Sequence, residues 1–125
     1  MDLVPYRTPA NHCPLEEYLE SLDVKPKKKV VRALDRLEKE GFALLRTDDI
    51  FSKVADDIYE LRAPYNKMQH RVMCGWFQSK MYLTDAFAKK DRKLKQVDIQ
   101  RSQDRLKEIK KYGKHKLEKF EGEIA

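Results

Sequence analysis

Arg62 and Arg71 are the pair of side chains in this sequence with the clearest chemical potential. Residues 58–63 alternate polar and apolar at period two, and residues 69–77 are rich in Val, Met, Trp and Phe, so both stretches predict strands. A turn centred between Asn66 and Lys67 would make them a hairpin in which Arg62 faces Arg71. Like charges directly opposite one another on a sheet repel, so a compensating anion is expected. A carboxylate such as Glu60 would serve, and on spacing alone this ion-pair reading comes first. A phosphate held between two guanidiniums would also serve, with bidentate geometry that lysine does not match. A third hydrophobic run, 80–87, leads into Lys89 and Lys90, whose ammonium groups could reach the same face. By composition alone these two are solvated strand-end lysines. Four cations around one concavity would suit phosphoryl transfer in RNA, where a ribose 2′-hydroxyl attacks the neighbouring phosphate. There the protein need only position the groups and stabilise the charge that builds on the equatorial oxygens. That chemistry needs no metal and no cofactor, and the sequence has no carboxylate cluster at ligand spacing.

Other reactive residue types carry less. His70 is suited by its ordinary pKa to acid–base work, but it adjoins Arg71 on a strand and so points to the opposite face. It reads as structural, and His12 and His115 are assigned nothing. Tyr65 and Tyr82 could stack on bases; packing is the simpler role for Tyr82 and for Trp76. Cys13 and Cys74 lack a CxxC partner or a histidine at zinc spacing, and read as reduced, partly buried thiols.

The elements that must position these residues follow from periodicity. Residues 3–7 form a short edge strand, with Pro5 excluding it from a sheet centre. Pro14 suits the first turn of a helix carrying Leu15, Tyr18, Leu19 and Leu22. Pro26 can open a second helix with Val30, Val31, Leu34 and Leu37 on one stripe, ended by Gly41. About five connecting residues between the two suggest a helical hairpin. Residues 50–55 are of undetermined type, 64–67 read as a turn, and Gln78-Ser79 separates the last two strands of a meander. A helix over 94–117 carries Val97, Leu106, Ile109 and Leu117 on an incomplete stripe and frays beyond Tyr112. The fold class is α+β: two N-terminal helices packed on a small antiparallel sheet of 3–5 strands, then a basic C-terminal helix. One domain over 1–112 is followed by a frayed tail over 113–125.

The chain has 125 residues, 41% of them hydrophobic, which suits a single folded domain. No apolar run approaches the roughly 20 residues a membrane span requires. The start, Met1 to Pro5, has no secretory pattern, so a soluble cytoplasmic protein is expected. No dinucleotide or phosphate-loop glycine fingerprint occurs. Residues 1–88 hold 14 Lys/Arg against 14 Asp/Glu, and residues 89–125 hold 13 against 7, so the formal excess of +6 lies in the last segment. Such a stripe suits a polyanion or an acidic protein partner, although by the charge run alone a solvated helix face comes first.

The order of these motifs resembles phage-derived toxins of the RelE/HigB type. Leu15-Glu16-Glu17-Tyr18-Leu19-Glu20-Ser21-Leu22, a long helix ending at Gly41, and Ile58-Tyr59-Glu60-Leu61-Arg62 are similar to the opening of that family. Arg71-Val72 and Phe87-Ala88-Lys89-Lys90 continue it, and the resemblance covers residues 15–111. It implies the toxin component of a type II toxin–antitoxin system, an endoribonuclease that cuts mRNA without metal, on the ribosome, through the 2′-hydroxyl. Its catalytic residues would be Arg62 and Arg71, gripping the scissile phosphate, and Lys89 and Lys90, handling a proton or adding positive field. RNA contacts would fall to Tyr65, Lys67, Arg92 and Lys93. The implied partners are a cognate helix-turn-helix antitoxin, mRNA with the ribosome, and operator DNA through the antitoxin; no membrane and no cofactor are implied. The chain departs from the family in having Thr84-Asp85-Ala86 and Asp91-Arg92-Lys93-Leu94 around the lysines, where Asp85 and Asp91 would partly neutralise the site. A gyrase poison of ParE type and a catalytically silent antitoxin-binding module are the competing readings.

Overall fold

Two tight turns made without glycine organise the sheet. Asn66 and Lys67 (φ 50° and 63°) and Gln78 and Ser79 (φ 48° and 63°) hold the paired left-handed geometry that matches strand twist in two-residue hairpins. They connect β3 (Ile58–Tyr65), β4 (Met68–Phe77) and β5 (Lys80–Lys89) into the expected antiparallel meander. The first turn sets the register, and Arg62 pairs with Arg71. These features come from a computed structural model describing residues 1–47, 49–90 and 93–124, of which 113–124 are described as backbone only.

Two short strands complete the sheet. The undetermined stretch is β2 (Phe51–Ala55), antiparallel to β3, and β1 (Asp2–Pro5) runs parallel to β5 at the other edge. The order is β1-β5-β4-β3-β2. Pro64 and Tyr65, expected in the turn, belong to β3. The Arg62 N–H bonds the Ile50 carbonyl on the outer side of β3. Pro64, two residues on, aims its donor-less nitrogen to that same side, past the end of β2 at Phe51, so the sheet loses nothing there.

One face carries α1 (Pro14–Ser21), packed over β5, and α2 (Val24–Glu40), packed over β3. The link between them is Leu22-Asp23, shorter than expected, because α2 starts before Pro26. The first helical N–H groups need no intrahelical partner, so a proline fits within that turn. Val30, Ala33 and Leu37 of α2 join Leu61, Val72, Met81 and Leu83 in the main core, whereas Val31 faces solvent. Gly41 (φ +58°) ends α2, its N–H bonding the Leu37 carbonyl. A 3₁₀ turn (Gly41–Ala43) and α3 (Leu44–Thr47), not anticipated from periodicity, lead to β2.

The opposite face is covered by α4 (Gln96–Ile124), which seats Leu106 against Ile58 and Met73. Gly75 permits this approach: a Cβ there would lie 2.9 Å from Leu106 Cδ1. The sheet is thus a middle layer between helices. The expected fraying falls on residues 113–125, outside the described side chains.

Candidate active site

Period-two alternation places Glu60 and Arg62 of β3, Arg71 of β4, and Phe87 and Lys89 of β5 on the α4 face of the sheet. Arg62 and Arg71 are direct cross-strand partners, and their compensating anion is internal. Glu60 accepts a hydrogen bond from Arg71 Nη1 at 2.8 Å through Oε2, and its Oε1 lies 3.4 Å from Arg62 Nε. Glu60 and Arg71 are 2% and 1% exposed. Burying such a trio costs desolvation that only close pairing offsets. Arg62 is more open, and its Nη2 donates to the Asp49 carbonyl, to Asp49 Oδ1 at 3.3 Å and to Ser52 Oγ at 3.3 Å.

Lys89 stands at the same end of the face, beside the β3–β4 hairpin, through its pairing with Gln69. Its ammonium ion-pairs with Asp98 in the first turn of α4 and lies 5.2 Å from the Phe87 ring centre, while Phe87 pairs across to Arg71. The sequence suggests four cations around one concavity. Three of them share the face, but Arg71 is buried and carboxylates already stand beside Arg62, Arg71 and Lys89. Lys90 has left the strand and is exposed.

Asp85 also departs from expectation. Instead of neutralising these cations it turns to α4, with Oδ2 2.9 Å from Arg101 Nη1 and Oδ1 3.4 Å from Arg105 Nη1. Asp98, which nothing in the sequence singled out, takes the neutralising role. Asp91 and Arg92 lie outside the described residues. Of the other expected RNA contacts, Lys67 is exposed at the hairpin tip and Lys93 is exposed just before α4. Tyr65 does not join them. It shares the parity of Leu61 and Ala63 and so belongs to the α1/α2 face, away from Arg62 and Arg71.

His70 lies on that other face, as its position predicted. It is buried, with Nδ1 2.5 Å from Tyr18 Oη, and burial lowers its pKa while pushing the Tyr18 phenol up to about 12. Trp76 packs edge-on against Phe42 at 4.8 Å. Both cysteines are free and more deeply buried than expected, and desolvation raises the Cys74 thiol. Among the described residues no group of three or more His, Cys, Asp or Glu could hold a metal ion. No described helix is long and apolar enough to cross a membrane.

Residues 17–107 match the family model described as "Phage derived protein Gp49-like (DUF891)", which spans every strand of the site. The chain belongs to the Gp49-like family. That family sits within the RelE/ParE-like toxin superfamily and is associated with the toxins of toxin–antitoxin systems. No curated protein matches the chain. In this Gp49-like chain the matched segment contains the Glu60–Arg62–Arg71 trio and the Lys89–Asp98 pair, both built on the sheet face under α4.

Proposed function

We propose that this protein is the toxin of a type II toxin–antitoxin pair, of the HigB-like subgroup, and a cytoplasmic endoribonuclease that cleaves mRNA without a metal ion. The observation that carries the reading is the Arg62–Arg71 cross-strand pair with Lys89 on the same face, in a chain of a toxin-associated family. Guanidiniums that share one carboxylate suit a phosphodiester, which offers the same paired oxygens. In the working complex the scissile phosphate displaces Glu60 from Arg62 and Arg71. The freed carboxylate accepts the 2′-hydroxyl proton as the 2′-oxygen bonds to phosphorus; the P–O5′ bond breaks, the leaving 5′-oxygen takes a proton from Lys89, and a 2′,3′-cyclic phosphate remains. The guanidiniums hold the charge on the equatorial oxygens while Lys89 and Lys90 add positive field. A helix-turn-helix antitoxin neutralises the toxin and carries it to operator DNA, and the ribosome presents the mRNA.

A second reading, a catalytically silent antitoxin-binding module, draws support from the burial of Arg71 and Glu60 and the pairing of Lys89. Induced expression in a bacterial host separates the two, comparing wild type with Arg62→Ala and following growth and mRNA integrity together. The ribonuclease reading requires growth arrest with fragmented mRNA in the wild type, and neither effect from a folded Arg62→Ala protein. Arrest with intact mRNA and inhibited supercoiling would turn the reading to a gyrase poison. No effect from the wild type would leave the silent module.

A further inference from the structure

We propose that the cleft between α2 and β3 is a track for the sugar-phosphate backbone of single-stranded RNA, held by Lys29, Arg32, Arg36 and Arg62. The identity of the polyanion rests on the ribonuclease reading; the existence of the track rests on the cleft itself. Lys29, Arg32 and Arg36 are spaced i, i+3 and i+7 on α2 and share one side of the helix. With Arg62 and an apolar floor that includes Ile50 and Pro64, they line a cleft of about 240 Å³.

Two of the four cations that line this cleft have no carboxylate of their own among the described residues. Four cations of β5 and α4 are answered from within: Lys89 by Asp98, Arg101 and Arg105 by Asp85, Lys110 by Asp57. Lys29 and Arg32 are exposed and make no ion pair among the described residues. Arg36 and Arg62 do carry carboxylates, Glu40 on the first and Glu60 and Asp49 on the second, and they border the track at its inner side.

Local rules of helix design are also broken here. α2 has no acidic residue in its first turn, and its N-cap Asp23 makes no side-chain capping bond. Lys25, Lys27, Lys28, Lys29 and Arg32 all precede Asp35, the first acidic residue of α2. Lys25 and Lys27 stand in the first turn, where cations oppose the macrodipole, and the five cations repel one another along the helix. Lys29 and Arg32 carry that repulsion to the rim of the cleft, where an extended polyanion relieves it. Among the described residues no aromatic side chain lines the cleft, which suits backbone contact without base stacking. Arg62 lines the cleft at the edge of β3 while its partners Glu60 and Arg71 lie on the opposite, α4 face, so a strand lying along α2 reaches them by crossing that edge past the end of β2.

The test is fluorescence anisotropy of a labelled, uncleavable 2′-O-methyl RNA oligonucleotide titrated across a salt series. Wild type is compared with Lys29→Ala/Arg32→Ala and with the charge-conserving Lys29→Arg/Arg32→Lys. Each phosphate contact on a single strand contributes about −0.7 to the slope of log K against log salt. Loss of both side chains is therefore expected to flatten the slope by about 1.4, and to weaken binding roughly tenfold or more at low salt. The charge-conserving variant keeps wild-type behaviour. Both side chains are exposed, so urea midpoints at or above the wild-type value verify folding. Unaltered slope and affinity in the double alanine variant overturn the track, as does absence of binding by the wild type. Equal binding of polyglutamate, dependent on the same two residues, also overturns it in favour of an acidic polypeptide. mRNA cleavage assayed on the same preparations keeps the two ideas apart. Cleavage with no role for Lys29 and Arg32 in RNA binding removes only the track. Binding that depends on them with no cleavage by the wild type removes only the ribonuclease.

Discussion

Replacing Arg71 with methionine leaves a carboxylate in the protein interior without its shorter partner. Glu60 is 2% exposed, and its Oε2 rests on Arg71 Nη1 at 2.8 Å. Breaking a buried pair from one side costs roughly 3–5 kcal/mol, because the remaining charge keeps its desolvation penalty. The lower end applies here, about 3 kcal/mol, since Arg62 Nε stays 3.4 Å from the other carboxylate oxygen. For a chain of this length that corresponds to a fall in Tm of roughly 10 °C. Glu60→Met acts on the other partner and is expected to cost a similar amount. Arg62 suffers less from it than Arg71 because Asp49 and Ser52 also hold its guanidinium. In Glu60→Met/Arg71→Met both charges are gone and methionine fills the volume. The double variant should therefore be more stable than the sum of single losses predicts, by about 2–3 kcal/mol of coupling. Urea unfolding of the four proteins, with m-values checked for constancy, measures the cycle. A cost below about 1 kcal/mol for Arg71→Met, the level of a solvent-exposed pair, would refute the buried arrangement and return Arg71 to the surface.

Four further perturbations follow from single contacts. Gly75→Ala puts a methyl 2.9 Å from Leu106 Cδ1. It should cost about 1–3 kcal/mol in urea unfolding, and less when combined with Leu106→Ala. Lys67 sits at φ 63° in a hairpin turn, so Lys67→Gly should raise the unfolding free energy by about 1 kcal/mol; a decrease would contradict the turn geometry. Burial lowers the pKa of His70, so the unfolded chain takes up its proton at a higher pH than the folded one. The stability that neutral His70 preserves is complete above the unfolded value of about 6.5 and is lost as pH falls from there towards the depressed folded value. The difference in stability between wild type and His70→Gln should shrink across that interval, and a flat difference would remove His70 from the buried set. Asp98→Asn removes the carboxylate from Lys89. If Lys89 serves the phosphate, mRNA fragmentation should rise at equal protein level, whereas unchanged or lower fragmentation would assign the pair to stability.

The meander was legible because strand periodicity and a two-residue turn together leave one register, and that register brought Arg62 opposite Arg71. Glu60 was legible as the answer to that repulsion for the same reason: it lies two residues from Arg62 on the same face. Tyr65 shares the parity of Ala63, but Pro64 carries a turn signal that hides the last two residues of the strand in the sequence. Asp98 was out of reach, since nothing in the spacing of residues 89 and 98 says that a helix folds back over the sheet. That return depends on the match between absent bulk at Gly75 and the Leu106 side chain on another element. The basic side of α2 was hidden by arithmetic, because acidic residues elsewhere cancel it in the charge of residues 1–88. Pairing in space, not net charge along the chain, decides which cations are available.

The closed site and the α2 cleft have a joint consequence for how RNA engages. A phosphate reaches Arg71 only when Glu60 yields its place, so apparent affinity at the site is reduced by the fraction of molecules in the open arrangement. If that fraction is ~1%, the reduction is ~100-fold, or about 2.7 kcal/mol. The scissile phosphate alone supplies little to offset this, since in solution it is already well hydrated. Contacts made away from the reacting bond can, because binding energy gained remotely can drive rearrangement at the reacting centre. Lys29 and Arg32 are positioned for that purpose: they are exposed, they make no ion pair among the described residues, and they share a cleft with Arg62. A long RNA engages them and meets the trio through Arg62, whereas a dinucleotide reaches only the closed pair. Cleavage of dinucleotides should accordingly be far weaker than cleavage of longer strands, and Lys29→Ala/Arg32→Ala should erase the difference by slowing the long substrate alone. Equal rates on both lengths would mean that the trio opens without help from α2.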